Sequence, residues 1–321
     1  MITYTPAAEH DALCLLLAEE CRTSEKFVSY CNARNLKNPG IRSLGFVSYQ
    51  DLLDLMIGKL PSGIPTSNLS RAYSALVDAG VFLEIPFGGN RLYDFQINFQ
   101  KVNIYTLLGC LDNIIKGPIF TLLKYTLSVV AIVVERNGEE AAGTGSLMTN
   151  GADNFILTNK HVVSPSDGWK IKAIFLGGNQ STPLQTEVSV RISEDDDLAV
   201  LSLSQSDAVS GLAKFRIAPS VSILQKVTTL GYPAIPRTNA FYLTAHTGEI
   251  NALIKTRDHA ELYLISCYAS PGSSGGPVLD ASGLVVGVIS ERIEGKYQDG
   301  LFGHTAAVPH HRILKFLGNK F

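Results

Sequence analysis

The chain has 321 residues, of which 45% are hydrophobic and 17% charged, with 27 Lys and Arg against 29 Asp and Glu. At about 150 residues per domain this length accommodates two domains. The low charge and high apolar content exclude a disordered chain. A formal charge of -2 supplies no global field for phosphates, so nucleic acid is not expected as a partner.

The first 100 residues read as helical. Apolar residues recur at three-and-four spacing in Glu9 to Cys21, Ser24 to Arg34 and Ser48 to Leu60. A fourth helix is expected from a cap at Ser67 or Asn68 through Leu69, Ala72, Tyr73, Leu76 and Val77 to Gly80. A hairpin follows, with Val81 to Ile85 and Arg91 to Ile97 joined by a turn at Gly88-Gly89-Asn90. This order resembles a winged-helix domain. Residues 101–126 read as a helical connector broken at Gly117-Pro118. From Leu127 the texture changes to short strands separated by turns. Six segments lie before residue 204 and six after 225, and a last helix spans His310 to Leu317. Two groups of six predict an all-β pair of barrels following a small, mainly helical domain.

Five cysteines cannot all pair, and Cys14, Cys21, Cys31, Cys110 and Cys267 show no metal-binding spacing. Free thiols and a reducing, cytoplasmic setting are expected. Met1 to Asp11 lacks the pattern of a signal peptide. The most apolar run, Phe120 to Val134, has 15 residues and includes Lys124, short of the ~20 a membrane span needs. No membrane association, metal or nucleotide cofactor is expected. No Walker or GxGxxG motif is present, and His10, His246, His259, His310 and His311 lack partners at metal spacing.

Three segments carry chemistry when taken together. Pro271 to Pro277 sets Ser274 on a glycine-rich loop, where the N–H groups of Gly272 and Ser274 can form an oxyanion hole. His161 lies in Leu157-Thr158-Asn159-Lys160-His161-Val162-Val163, at the end of an apolar strand expected over Phe155 to Val163. Asp197 ends a run of three aspartates and abuts Leu198 to Leu201, where a half-buried carboxylate can orient an imidazole. Asp195 and Asp196 are expected to be solvated. Each segment alone has an ordinary structural explanation. In the order His161, Asp197, Ser274 they supply a base, its orienter and a nucleophile.

On these motifs the chain resembles the trypsin-like, chymotrypsin-fold serine proteases, and most of all their HtrA/Deg-like branch. Gly143-Thr144-Gly145-Ser146, Thr158 to Val163, Asp197 to Leu201, Gly231-Tyr232-Pro233 and Pro271 to Pro277 carry the likeness across about residues 127–310. The resemblance implies a double-barrel protease domain over 127–321, acting on protein substrates. It also implies pocket walls at Tyr268, Ala269, Ser290, Glu291, Arg292, Gly303 and His304, with the backbone of 290–292 pairing with substrate. His304 or Arg292 could favour an acidic residue before the cut. Tyr268 stands where trypsin's basic-specificity aspartate would fall.

Two departures matter. No PDZ domain is expected in the 12 residues after Pro309, and Ser273 replaces the aspartate that anchors the nucleophile loop in trypsin. Order in that loop is therefore expected from the 1–100 domain or from an activating protein bound to it. Residues 1–100 hold eight Lys and Arg against ten Asp and Glu, which suits a protein partner better than DNA. A DNA-binding autoproteolytic regulator and an inactive protease-fold scaffold are the alternatives. The sequence does not set an oligomeric state.

Overall fold

The computed structural model describes residues 7–36, 38–60, 69–85, 92–151, 153–164, 168–178, 182–204, 209–238, 240–297 and 300–318, and at 58 and 291–303 the backbone alone. The chain divides into two compact units, Met1–Leu122 with Ala281–Gly283, and Leu123–Asp280 with Leu284–Phe321.

In the first unit α1 (Ala8–Leu15) runs into a π turn (Leu16–Glu20), and α2 (Ser24–Ala33) starts where the Thr23 side chain accepts the Lys26 N–H. A short α3 (Pro39–Ser43) and a two-residue strand β1 (Phe46–Val47) come next, neither visible in the apolar pattern. The capping box of α4 (Tyr49–Met56) pairs Ser48 Oγ with the Asp51 N–H and the Asp51 carboxylate with the Ser48 N–H. The same carboxylate takes two hydrogen bonds from Arg42, at 2.8 and 2.9 Å. Then follow α5 (Leu69–Asp78), β2 (Phe82–Glu84) and β3 (Phe95–Ile97), in a sheet ordered β1-β3-β2. The expected cap at 67–68 and turn at 88–90 lie outside the described residues.

The expected connector belongs instead to this unit. α6 (Phe99–Leu107) and α7 (Leu111–Lys116) bury Val102, Leu111, Ile114 and Ile115 in the same core as Leu13, Phe27, Leu55 and Leu76. The break at Gly117 does occur, with φ +88, and Pro118 opens α8 (Pro118–Tyr125). Among the described residues no helix is long and apolar enough to cross a membrane.

The second unit holds both groups of six strands. The first group comprises β4 (Val129–Arg136), β5 (Glu139–Thr149), β6 (Asn154–Thr158), β7 (Lys170–Leu176), β8 (Val188–Ile192) and β9 (Ala199–Leu203). Asn137 and Gly138, both at positive φ, turn β4 into β5 as a tight hairpin requires. The second group comprises β10 (Lys226–Gly231), β11 (Thr244–Lys255), β12 (Glu261–Ile265), β13 (Pro277–Leu279), β14 (Val285–Tyr297) and β15 (Gly300–Pro309). It closes into a barrel, β10-β11-β12-β15-β14-β13. The first group does not. Its order is β7-β4-β5-β6-β9-β8, and no ladder joins β7 to β8 among the described residues. β8 presents mostly exposed residues, so it has little apolar surface to draw it onto β7. The result is a closed barrel and a half-barrel in the chymotrypsin-like double-barrel fold.

Candidate active site

The apolar strand β6 was expected to continue through the histidine, but the chain leaves it at Asn159 and makes one helical turn, α9 (Lys160–Val163). Within that turn Val162 and Val163 are both buried in the core of the first six strands. Gly143 makes the room, since a Cβ there would stand 2.5 Å from Val162 Cγ1. With both valines inward, His161 is turned outward, its side chain half exposed.

Asp197 sits in the turn before β9, which begins next to the buried Leu198. Its Oδ1 accepts the His161 backbone N–H at 3.0 Å, and its Oδ2 lies 2.8 Å from His161 Nδ1. One carboxylate thus fixes both the backbone and the ring of the histidine. The Ser290 hydroxyl donates to the same Oδ2 at 2.7 Å, and Asn159 Nδ2 donates to the Asp197 carbonyl at 2.8 Å. Burial alone would raise the Asp197 pKa, but the hydrogen bonds from His161 and Ser290 outweigh it and hold the carboxyl below its ordinary range.

Of the other two aspartates, Asp195 is exposed and bonded to Lys315 Nζ at 2.8 Å. Asp196 departs from expectation. Its carboxylate is 4% exposed and accepts Arg312 Nε at 2.8 Å, fastening α10 (His310–Leu317) to this turn.

Ser274 Oγ donates to the Ser290 carbonyl at 3.1 Å, and among the described contacts that is its hydrogen bond. Ser274 and His161 line one cleft, and catalytic hydrogen bonds often tighten only when substrate binds. The loop around it is closely specified. The Ser273 N–H donates to Ser270 O at 2.9 Å, and Gly272 has φ +94, the sign a type II turn requires at its third position. The Pro271 carbonyl accepts from the Ala234 N–H at 2.9 Å. In a trans peptide the N–H points opposite the carbonyl, so the Gly272 N–H faces away from Ala234. The Ser273 carbonyl accepts from Gly276 N, which directs the Ser274 N–H the other way. Neither the Gly272 nor the Ser274 N–H has an acceptor among the described residues. Two such donors beside a hydroxyl suit an oxygen that becomes an anion.

A cleft of about 990 Å³ runs past His161, Asp197 and Ser274. Tyr268 is 56% exposed and meets His246 edge-on, Ala269 is buried, and both line the cleft. Ser290, expected as a pocket wall, lines it too, though its hydroxyl turns to Asp197. Pairing of β14 with β15 is irregular between Ile289 and Arg292, which leaves 290–291 out of that ladder. His304 stands opposite Ile293 on β15 and is not among the lining residues. The side chains of Glu291 and Arg292, and the surroundings of Gly303, lie outside the description.

Sequence reading missed two side chains that hold the site. One is the Ser290 hydroxyl. The other is Thr144, whose place between two glycines was the available signal.

Residues 143–288 match the model of the trypsin-like peptidase domain. A probable periplasmic serine endoprotease DegP-like of Hahella chejuensis is 26% identical over 185 residues, 54% of this chain and 34% of its own. The serine protease Do-like HtrA of Bacillus subtilis is 27% identical over 180 residues, covering 53% and 37%. The chain therefore spans about a third of the length of these curated relatives. Among solved structures, the active form of the Rv3671c protease from M. tuberculosis aligns with TM-score 0.46 at 20% identity, over 60% of this chain and 80% of that one.

Proposed function

We propose that the trypsin-like peptidase domain this chain carries acts as a serine endopeptidase on protein substrates, with Ser274 as nucleophile, His161 as base and Asp197 as its orienter. The observation that carries this reading is the 2.8 Å contact from Asp197 to His161 Nδ1. It shares a cleft with a serine whose loop presents two N–H donors that have no acceptor among the described residues. An imidazole held at Nδ1 presents Nε2 as a proton acceptor. Ser274 Oγ, turned toward it, gives up its proton and attacks the peptide carbonyl. Negative charge on the former carbonyl oxygen is met by the Gly272 and Ser274 N–H groups. The imidazolium then protonates the departing amine, and water, activated by the same imidazole, releases the acyl group from Ser274.

The 1–122 unit is read as a winged-helix-like module that engages a protein partner. The helix, strand, helix, helix, strand, strand order and the β1-β3-β2 sheet support the first part. The side chain of Arg71, the cation of α5, is tied to the Lys116 carbonyl at 2.6 Å, and Lys116 is tied to Asp11. Helix α5 therefore lacks the free basic stripe that DNA reading needs. We read the setting as reducing and cytoplasmic because five cysteines cannot all pair.

Cleavage of a fluorogenic peptide library by wild type and Ser274→Ala tests the activity and its specificity together. Hydrolysis that disappears with Ser274 is expected. Hydrolysis that survives the substitution belongs to another group or a contaminant and removes the proposal.

A further inference from the structure

We propose that Thr144 is a positioning residue for the oxyanion hole, and that its side-chain hydroxyl holds the Gly272–Ser273 peptide, the link that sets the Gly272 and Ser274 N–H groups relative to one another. The inference rests on the endopeptidase reading above and adds a residue to that machinery.

Thr144 lies on β5 of the half-barrel and is fully buried. Its Oγ1 donates to the Gly272 carbonyl at 2.7 Å and accepts from the Tyr232 backbone N–H at 2.9 Å. Because the Tyr232 N–H can only donate, the single hydroxyl proton is left for Gly272, which settles its direction. The Thr144 N–H donates to the Ser274 carbonyl at 2.8 Å, and its own carbonyl accepts the Thr158 hydroxyl at 2.7 Å. One residue thus joins the nucleophile loop, the segment after β10 and the strand that ends beside His161.

The hydroxyl matters because glycine has no side chain to fix its own peptide. A glycine at φ +94 crosses readily between backbone wells, and a loop with Ser273 has no aspartate to anchor it. Two clamps from outside the loop replace that anchor. The Ala234 N–H holds the carbonyl before Gly272, and Thr144 Oγ1 holds the carbonyl after it. Both come from the same unit as Ser274. Removal of the hydroxyl would leave the Gly272 carbonyl without this donor, and a rotation of the Gly272–Ser273 peptide would move the Gly272 and Ser274 N–H groups on either side of it out of their common aim.

The test measures the rate at which a fluorophosphonate probe labels Ser274 in full-length wild type, Thr144→Val and Thr144→Ser. The probe's tetrahedral adduct uses the same N–H pair, and no choice of substrate is needed. Loss of one oxyanion donor costs ~10²–10³ in rate, and loss of one of two clamps should cost less, so Thr144→Val is expected to label about 10- to 100-fold more slowly. Thr144→Ser keeps the hydroxyl and is expected within about threefold of wild type. On the best library peptide the Val variant should lower kcat while KM stays within about threefold, since the hole acts on the transition state. Loss of packing alone would not produce that split together with rescue by serine. Val labelling at the wild-type rate, or Ser falling as far as Val, overturns the proposal. If Thr144→Val does not fold, Thr144→Ala takes its place against Thr144→Ser with the same criteria. An unlabelled wild type overturns the endopeptidase reading itself, and the positioning role with it.

Discussion

Burial makes a charge on Asp197 costly, yet the His161 and Ser290 hydrogen bonds leave its pKa below the ordinary range. A carboxylate with a depressed folded pKa adds stability that is complete above its unfolded value of about 3.9 and is lost as pH falls through the lower folded value. Wild type should therefore exceed Asp197→Asn in stability at pH 7, with the gap closing below about pH 4. Denaturant unfolding at pH 7 and pH 3 checks this, and a gap that widens toward acid contradicts the assignment. The same substitution should cut kcat by about 10⁴ by favouring the wrong tautomer of His161. Ser290→Ala should cost less, because two His161 contacts to Asp197 survive it. These roles differ in how far the sequence disclosed them. Asp197 announced itself by abutting an apolar strand. The Ser290 and Thr144 hydroxyls act through partners more than 90 residues away in the chain, and no local pattern records such a contact.

Helix α10 and the 195–197 turn act as a pair. Arg312 reaches Asp196 and Lys315 reaches Asp195, so the helix is latched beside the residue that orients His161. The Asp196 bond is shielded and should be worth about 1.5–3 kcal/mol, the range for a hydrogen bond to a charged group. Asp196→Ala is accordingly expected to lower Tm by several degrees and Asp195→Ala hardly at all, as differential scanning calorimetry would show. Equal effects would mean that the turn is held by its backbone. A run of three aspartates reads as solvated because the cations that answer it lie some 116 residues further on. Strand periodicity located all twelve strands of the double barrel, since alternation and turn residues are local signals. Closure of the first six into a barrel was expected, and no β7–β8 ladder makes it among the described residues, because closure depends on the side-on meeting of β7 and β8. α3 and β1 are too short to carry a period, and the break after β6 falls at the polar Asn159-Lys160, inside a segment read as one strand.

At the scale of the whole chain, the nucleophile loop was expected to need order from the first 100 residues or from a partner. The Thr144 and Ala234 clamps supply a source of order within the unit that holds Ser274. Recruitment of a protein, and control of the loop through it, stay proposals for the 1–122 unit. The five cysteines give a second test of setting. Titration of the denatured, unreduced protein should find about five thiols, and finding only one would mean two disulfides and an oxidising compartment. The most direct test of the central claim is the site and rate of covalent labelling by a fluorophosphonate in wild type and His161→Ala. The account predicts a single adduct on Ser274 in wild type and a rate lower by orders of magnitude in His161→Ala, since serine is a weak nucleophile without its base. Equal labelling of the two proteins, or an adduct on any other residue, would contradict it.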